Sequence, residues 1–142
     1  MKRYKQKRAR RYGESLGIKG ERDDSQKAAF RRKPYAPGQN GQKRRRVSEY
    51  GQQLAEKQKL RILYGLKEKQ FQKYINKALD SDEPTDYALL RRLEMRLDRV
   101  VLLAGFAESR AQARQFVTHG HFEVNGRRMD IPSYRVKPED EI

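Results

Sequence analysis

Residues 105–126 read GFAESRAQARQFVTHGHFEVNG, and this stretch decides the fold of the C-terminal part of the chain. The four residues that begin at Ser109 have the pattern Ser-x-x-Gln, which is typical of a capping box at the start of a helix. Gly120 is suited to end that helix, because glycine readily adopts the left-handed conformation that follows many helices. Asn125-Gly126 is a strong signal for a two-residue hairpin turn. The stretch therefore predicts a helix followed by a β-hairpin.

Further elements are predicted on both sides of this stretch. Apolar residues recur at helical spacing over residues 87–104, which predicts one helix that ends at Gly105. After the hairpin, Tyr134 and Val136 belong to an alternating run typical of a strand, and a last strand is expected to begin at Ile142. We therefore expect an α+β fold, in which two helices pack on a small antiparallel sheet.

The part of the chain before this unit is divided by its composition. Leu, Ile, Val and Phe are rare in residues 1–50, whereas apolar residues at helical spacing follow from Ser48, a candidate N-cap. Two prolines and two glycines prevent a continuous helix in residues 31–46, so we expect an extended strip with tight turns. The sequence predicts three segments: a basic extended arm over 1–46, a helical domain over 47–92 and the α+β unit over 93–142.

Positive charge is concentrated in the arm. The chain holds 34 Lys and Arg against 19 Asp and Glu, a formal net charge of +15, and most of the excess precedes residue 50. Such a strip suits folded RNA, because Lys and Arg neutralise phosphates and release counterions, while Arg and Tyr35 can stack on bases. No apolar stretch suggests a membrane partner, and the absence of cysteine excludes disulfides and thiol nucleophiles.

The C-terminal unit has as many acidic as basic residues, so binding there depends on where the charges lie. Arg110 and Arg114 are four residues apart and share one face of the second helix, whose N-terminus adds backbone N–H groups. Arg96, off the apolar face of the preceding helix, and Arg127, beyond the hairpin turn, are predicted to extend the same surface.

The candidate RNA-binding residues are mostly cations, joined by one tyrosine and three side-chain amides. They are Arg3, Lys7, Arg8, Arg31, Arg32, Lys33, Tyr35, Gln39, Lys43, Arg44, Arg45, Arg46, Lys57, Lys59, Arg96, Arg110, Arg114, Gln115, Asn125 and Arg127.

Two other classes of function stay open at this point. The first is an enzyme that modifies RNA and uses the C-terminal unit for targeting. The sequence argues against it, because His119 and His121 flank a glycine at a helix end and no nucleophile, metal cluster or paired carboxylate site is visible. The second is a general basic protein for DNA or anionic membranes. The hairpin unit is too specific for a mere polycation.

Several motifs resemble one known family. The pattern Leu93-Glu94-x-Arg96-Leu97-Asp98, with Ser109-Arg110, Ala113-Arg114-Gln115 and Val124-Asn125-Gly126, looks like the S4 RNA-binding domain. Upstream, Ala36-Pro37-Gly38-Gln39-x-Gly41 and Ser48-Glu49-Tyr50-Gly51 are similar to the bacterial or organellar type of the small-ribosomal-subunit protein four family. This resemblance covers nearly all of residues 30–142.

The resemblance implies a structural, non-catalytic protein of the small ribosomal subunit, in the cytoplasm or in an organelle. Its implied ligand is small-subunit ribosomal RNA, bound in the 5′ domain at a multi-helix junction early in subunit assembly. It also implies ribosomal protein five as a neighbour, messenger RNA nearby at its entrance channel, and an influence on translational accuracy.

The chain departs from this family in two ways. Many relatives carry four N-terminal cysteines that bind zinc or an iron–sulfur cluster, and this chain has no cysteine. We therefore expect no metal or other cofactor, and we expect RNA to order the arm. The family also usually continues past the equivalent of Ile142, so either a shortened member or a piece of a longer protein is expected, and contacts with protein five are in doubt.

Overall fold

The computed structural model describes residues 2–17, 25–26, 28–43 and 46–142, with only the backbone described for residues 2–6. The chain forms two compact units, residues 1–64 and 65–142. This division differs from the three segments predicted from the sequence, because the first helix of the predicted middle domain belongs with the N-terminal arm.

The first unit contains three described helices: α1 (Lys2–Tyr12), α2 (Ala29–Arg32) and α3 (Glu49–Leu63). Helix α3 begins as predicted, since the Gly51 N–H donates to the Ser48 Oγ at 3.2 Å and thereby satisfies one of the free amides of the first turn. Helices α1 and α2 pack on each other. The segment that follows α2 runs through turns, as the prolines and glycines predicted.

A small apolar cluster joins the N-terminal arm to α3. Ala9 of α1, Leu16 and Ile62 of α3 are buried together, and Tyr12 and Phe30 pack against them. Helix α3 thus supplies an apolar surface on which the few apolar residues of the arm pack. The expectation that RNA orders the arm stays a prediction.

The second unit begins with a helix pair, α4 (Glu68–Leu79) and α5 (Thr85–Glu94), which pack on each other. Phe71 and Ala78 are buried on α4, and Ala88 and Leu93 are buried on α5. Leu79, eight residues after Phe71, is 63% exposed. The buried pair Phe71 and Ala78 stands at positions i and i+7, which face the same side of a helix more closely than i and i+8 do.

The single helix predicted over residues 87–104 is wrong, because the chain forms α5 and then α6 (Leu97–Leu103), with a break at Arg96. Arg96 has an extended backbone and forms a bridge with Arg135. The Leu97 N–H donates to the Tyr134 carbonyl at 2.9 Å. The first turn of α6 thus finds its acceptors in a distant segment, which no local sequence signal indicates.

Helix α6 packs on α7 (Arg110–Thr118), and both pack on a hairpin of β1 (Glu123–Val124) and β2 (Arg127–Arg128). Asn125 and Gly126 both have positive φ, 53° and 73°, as a two-residue type I′ turn requires. The core of this part holds Leu97, Val101, Ala107, Ala113, Val117, Val124 and Val136.

The predicted α+β class is confirmed, with a sheet smaller than expected. Tyr134 and Val136 alternate as predicted, with Val136 buried, yet their segment pairs with residues 95–98 rather than with the hairpin. No strand is described at Ile142, although the Asn125 N–H donates to the Glu141 carbonyl at 2.9 Å. Asp140 and Glu141 therefore contact the hairpin turn through separate hydrogen bonds and not through a strand ladder.

Candidate nucleic-acid interface

A cleft of about 980 Å³ in the first unit brings several predicted residues together. Helix α1 forms one side, and the turn over residues 36–43, which we call the glycine turn, forms the other. Four cations line the cleft, and no acidic side chain lines it among the described residues. The cations are Lys7, Arg8, Arg11 and Lys43, joined by the polar side chains of Gln39 and Asn40.

Hydrogen bonds of the backbone hold the glycine turn in shape. The Gly41 N–H donates to the Gly38 carbonyl at 3.2 Å, and the Lys43 N–H donates to the Asn40 carbonyl at 3.2 Å. Gly38 has a φ of 115°, a conformation that side chains disfavour. A methyl group on Gly41 would collide with the backbone carbonyl of Ala36. The turn therefore needs glycine at both positions to keep Gln39 and Lys43 against the cleft.

Replacing Gly41 with alanine is expected to open the glycine turn, because backbone atoms cannot move aside as cheaply as a flexible side chain. We expect the free energy of unfolding to fall by about 1–3 kcal/mol, the usual cost of forcing extra atoms into a closed site. Urea denaturation measures it. Asn40→Ala, at an exposed neighbour in the same turn, is the control and should change stability by less than about 0.5 kcal/mol. Equal stabilities for the two variants would contradict this account of the turn.

Tyr35 and Lys59, both predicted to contact RNA, have partners within the protein. The guanidinium of Arg10 lies over the ring of Tyr35, 4.9 Å from its centre, so one face of the ring is already covered. Lys59 pairs with Glu14 at 2.7 Å and with Glu56 at 2.8 Å. These hydrogen bonds raise the pKa of Lys59, with that from Glu14 the larger cause. Lys59 therefore ties α3 to the segment after α1, and we leave it out of the interface.

Helix α7 in the second unit presents the predicted arginine pair. Ser109 caps the helix, with the Gln112 N–H 3.4 Å from its Oγ, and the Gln112 side chain accepts from the Glu108 N–H at 3.0 Å. The capping pattern is confirmed, although Gln112 bonds one residue earlier than a standard box requires. Arg114 is exposed, whereas Arg110 is only partly exposed, because it stands seven residues before the buried Val117 and so close to the same side of the helix.

Asn125, predicted to contact RNA, uses its side chain within the protein. Its Nδ2 donates to Asp140 Oδ1 at 2.9 Å, and its Oδ1 accepts from the Glu141 N–H at 2.9 Å. The pKa of Asp140 is lowered by the Lys137 backbone N–H and then by Asn125. Asn125 thus holds the C-terminal segment against the hairpin, which is a structural role that its place in the turn did not reveal.

Arg96, predicted to extend a binding surface, is 4% exposed, so that prediction of its position is wrong. Its Nε and Nη2 donate to the two carboxylate oxygens of Asp98 at 2.9 and 2.7 Å, and its Nη1 donates to the Tyr74 hydroxyl at 2.7 Å. Burial by itself would lower the pKa of Arg96, but the bonds to Asp98 outweigh it and the pKa is raised. The break between α5 and α6 turns this side chain inward.

The remaining predicted residues are mostly exposed. Gln115 and Arg127 are exposed in the second unit, and Lys57 is partly exposed on α3. Arg31, Arg32, Lys33 and Arg46 are also exposed in the first unit. The side chain of Arg3, and all of Arg44 and Arg45, lie outside the described residues.

Two polar side chains of the cleft, those of Arg11 and Asn40, were not predicted from the sequence. Arg11 follows Lys7 at the i+4 spacing of one helix face, a signal that was overlooked because the arm was expected to be extended. Asn40 had no comparable signal.

Over the described ranges, no group of three or more His, Asp or Glu side chains is arranged to hold a metal ion. Within the same ranges no helix has the length and apolar character needed to cross a bilayer.

Comparison with protein families gives two matches that together cover the chain. The model of the ribosomal protein S4/S9 N-terminal domain matches residues 1–94, and the model of the S4 domain matches residues 95–142. The boundary falls at the break between α5 and α6.

Individual relatives give the same result. The chain is 50% identical over 136 residues to the small ribosomal subunit protein uS4 of Thermotoga petrophila, covering 96% of this chain and 65% of the relative. It is 56% identical over 134 residues to the protein of the same name from Thermus thermophilus, covering 94% of this chain and 64% of the relative. The chain thus spans slightly less than two thirds of the length of these relatives. It belongs to the ribosomal protein S4 family, with that family's N-terminal domain followed by an S4 domain.

Proposed function

We propose that the chain is a structural constituent of the small ribosomal subunit and binds its ribosomal RNA. The observation that carries this proposal is the cleft between α1 and the glycine turn, where Lys7, Arg8, Arg11 and Lys43 converge. Such a cleft suits a phosphate backbone, because closely spaced cations release the counterions that condense on nucleic acids. The membership of the chain in a family of ribosomal proteins supports the same ligand.

Each unit contributes one contact surface in this proposal. The cleft takes the backbone of one RNA segment, while Arg110 and Arg114 of α7, with Arg127 on the hairpin, contact phosphates of another. The cations lie on packed helices and turns, which fix the distances between them. They therefore select RNA by the spacing of its phosphates more than by its bases. The protein then acts by holding RNA helices together, and no catalytic group is needed.

The finer parts of the proposal follow the family resemblance. We place the RNA site in the 5′ domain at a multi-helix junction, with binding early in subunit assembly. Ribosomal protein five and messenger RNA at its entrance channel are the proposed neighbours, with an influence on translational accuracy. The place of action is the small ribosomal subunit, cytoplasmic in a bacterium.

The arginine pair of α7 offers a direct experiment. Arg110→Ala with Arg114→Ala is expected to weaken binding to small-subunit ribosomal RNA by about tenfold, and to reduce the log–log salt slope by about two. The fold should be retained, because Arg114 is exposed and Arg110 is partly exposed. Filter binding at several salt concentrations measures the affinity, and circular dichroism checks the fold.

The matched control removes two exposed charges elsewhere in the same unit, at Lys67 and Lys69. Lys67→Ala with Lys69→Ala should leave the affinity within about twofold, since neither residue belongs to the proposed surface. An equal loss of affinity in the two double variants would show that total charge, and not the α7 surface, governs binding.

A further inference from the structure

A second cationic cavity lies in the second unit, and Arg110, Arg114 and Arg127 do not line it. It has a volume of about 410 Å³ and lies between α4, α5 and the segment around Ser133. No acidic side chain lines it among the described residues. Five cations do: Lys73, Lys77, Arg92, Arg96 and Arg135.

The Arg96 guanidinium is a fixed part of this cavity. It is 4% exposed and donates to both oxygens of Asp98 and to the Tyr74 hydroxyl. Asp98 compensates the charge of Arg96, so the excess positive charge of the cavity comes from the other four cations. The Tyr74 hydroxyl accepts from Arg96, which leaves its own hydrogen able to donate to a ligand in the cavity.

Arg92 is held in place at the side of the cavity. Its Nη2 donates to the Lys77 carbonyl at 2.9 Å, which fixes the guanidinium at the side of the cavity. The charge of Arg92 is thereby fixed beside the cavity, where it favours an anion.

We propose that this cavity binds a phosphate group through Lys73, Lys77, Arg92 and Arg135. The guanidinium groups of Arg and the ammonium groups of Lys are the usual protein ligands of phosphate oxygens. A multiply charged anion matches four cations, in a lining that has no acidic residue among the described ones, better than a carboxylate does. The volume lies within the range of about 300–1,000 Å³ found for small-molecule sites, so space remains for the group that carries the phosphate.

The phosphate has two possible sources, a phosphodiester of RNA or a small phosphate ester. Only the first source rests on the proposed function. The binding of inorganic phosphate itself does not depend on ribosomal RNA, so the two proposals can fail separately.

The first experiment titrates the 142-residue chain with inorganic phosphate at constant ionic strength, with chloride as the replaced anion, and follows backbone amides by NMR. We expect saturable shifts at Gln70, Tyr74 and Ser133, which line the cavity. Lys77→Gln with Arg135→Gln should weaken the apparent affinity at least tenfold. Lys67→Gln with Lys69→Gln, which removes the same charge from residues that do not line the cavity, should change it less than twofold.

Three results would overturn the proposal: shifts that do not saturate, shifts confined to the basic residues of the first unit, or equal effects of the two double variants. A variant that fails to fold is detected by its amide spectrum. Arg135→Gln alone, at an exposed side chain, then replaces it and is expected to weaken phosphate binding at least threefold.

The second experiment separates the sources by competition at the same amides. A ten-nucleotide RNA without terminal phosphate that displaces inorganic phosphate would identify the RNA backbone as the ligand. A nucleoside monophosphate that binds at least tenfold more tightly than this RNA would identify a small ester. Either result supports a phosphate site, and displacement by neither compound would count against it.

Discussion

Replacing Asp98 with alanine is expected to lower the free energy of unfolding by about 3–5 kcal/mol, because it leaves the buried Arg96 guanidinium without its counterion. The Arg96 and Asp98 side chains are only 4% and 11% exposed, and two hydrogen bonds join them. The pair also lies at the break between α5 and α6, where residues 132–136 form backbone hydrogen bonds with residues 95–98. Loss of the pair is therefore expected to weaken this contact as well. Urea denaturation followed by circular dichroism measures the change.

The matched control removes both charges. Arg96→Met with Asp98→Leu keeps similar volume without an unpaired ion, and such replacements of buried pairs are often neutral or stabilising. We expect this double variant to be more stable than Asp98→Ala by at least 2 kcal/mol. If the free energy of unfolding of Asp98→Ala lies within about 0.5 kcal/mol of that of the unaltered chain, Arg96 becomes hydrated once Asp98 is removed. The ion pair would then not be needed for stability.

Neutralising the cleft of the first unit is expected to have the largest effect on RNA binding. If about ten phosphates are neutralised in all, the log–log salt slope should be on the order of −7 to −9. Lys7→Gln, Arg11→Gln and Lys43→Gln together should reduce that slope by about two to three and weaken binding at least tenfold at low salt. Binding titrations at several salt concentrations give both values.

The control for the cleft variant removes three exposed lysines of the second unit, Lys67, Lys69 and Lys137. It lowers the net charge equally and should leave the slope nearly unchanged. Equal slopes for the two triple variants would show that the cleft makes no specific contact. Deleting residues 1–46 is not a clean substitute, because it removes Ala9 and Leu16 from the cluster around Ile62 and so exposes an apolar surface.

Local signals predicted the parts of the fold that local physics governs. Ser48 and Ser109 cap helices, and Asn125-Gly126 forms the hairpin turn, because each depends on residues within four positions. The break at Arg96 depends instead on hydrogen bonds to residues near Tyr134, about forty positions away. No spacing rule within one helix contains that information.

For the candidate site too, the sequence predicted some features and missed others. Charge along the chain indicated Lys7 and Lys43, and helix periodicity indicated Arg110 and Arg114, which are at least partly exposed. Composition cannot tell a cation that faces solvent from one with an internal partner. For that reason Arg96 was misplaced, and the ion pairs of Lys59 were not foreseen.

The most direct test of the central claim, that positioned cations recognise folded small-subunit RNA, is a comparison of two polyanions. Binding of the chain to small-subunit ribosomal RNA is measured against binding to double-stranded DNA of equal charge, at near-physiological salt. We predict at least a tenfold preference for the RNA, and its loss in the combined cleft and α7 variant. Equal affinity for the two nucleic acids would contradict the account and leave only a general polycation.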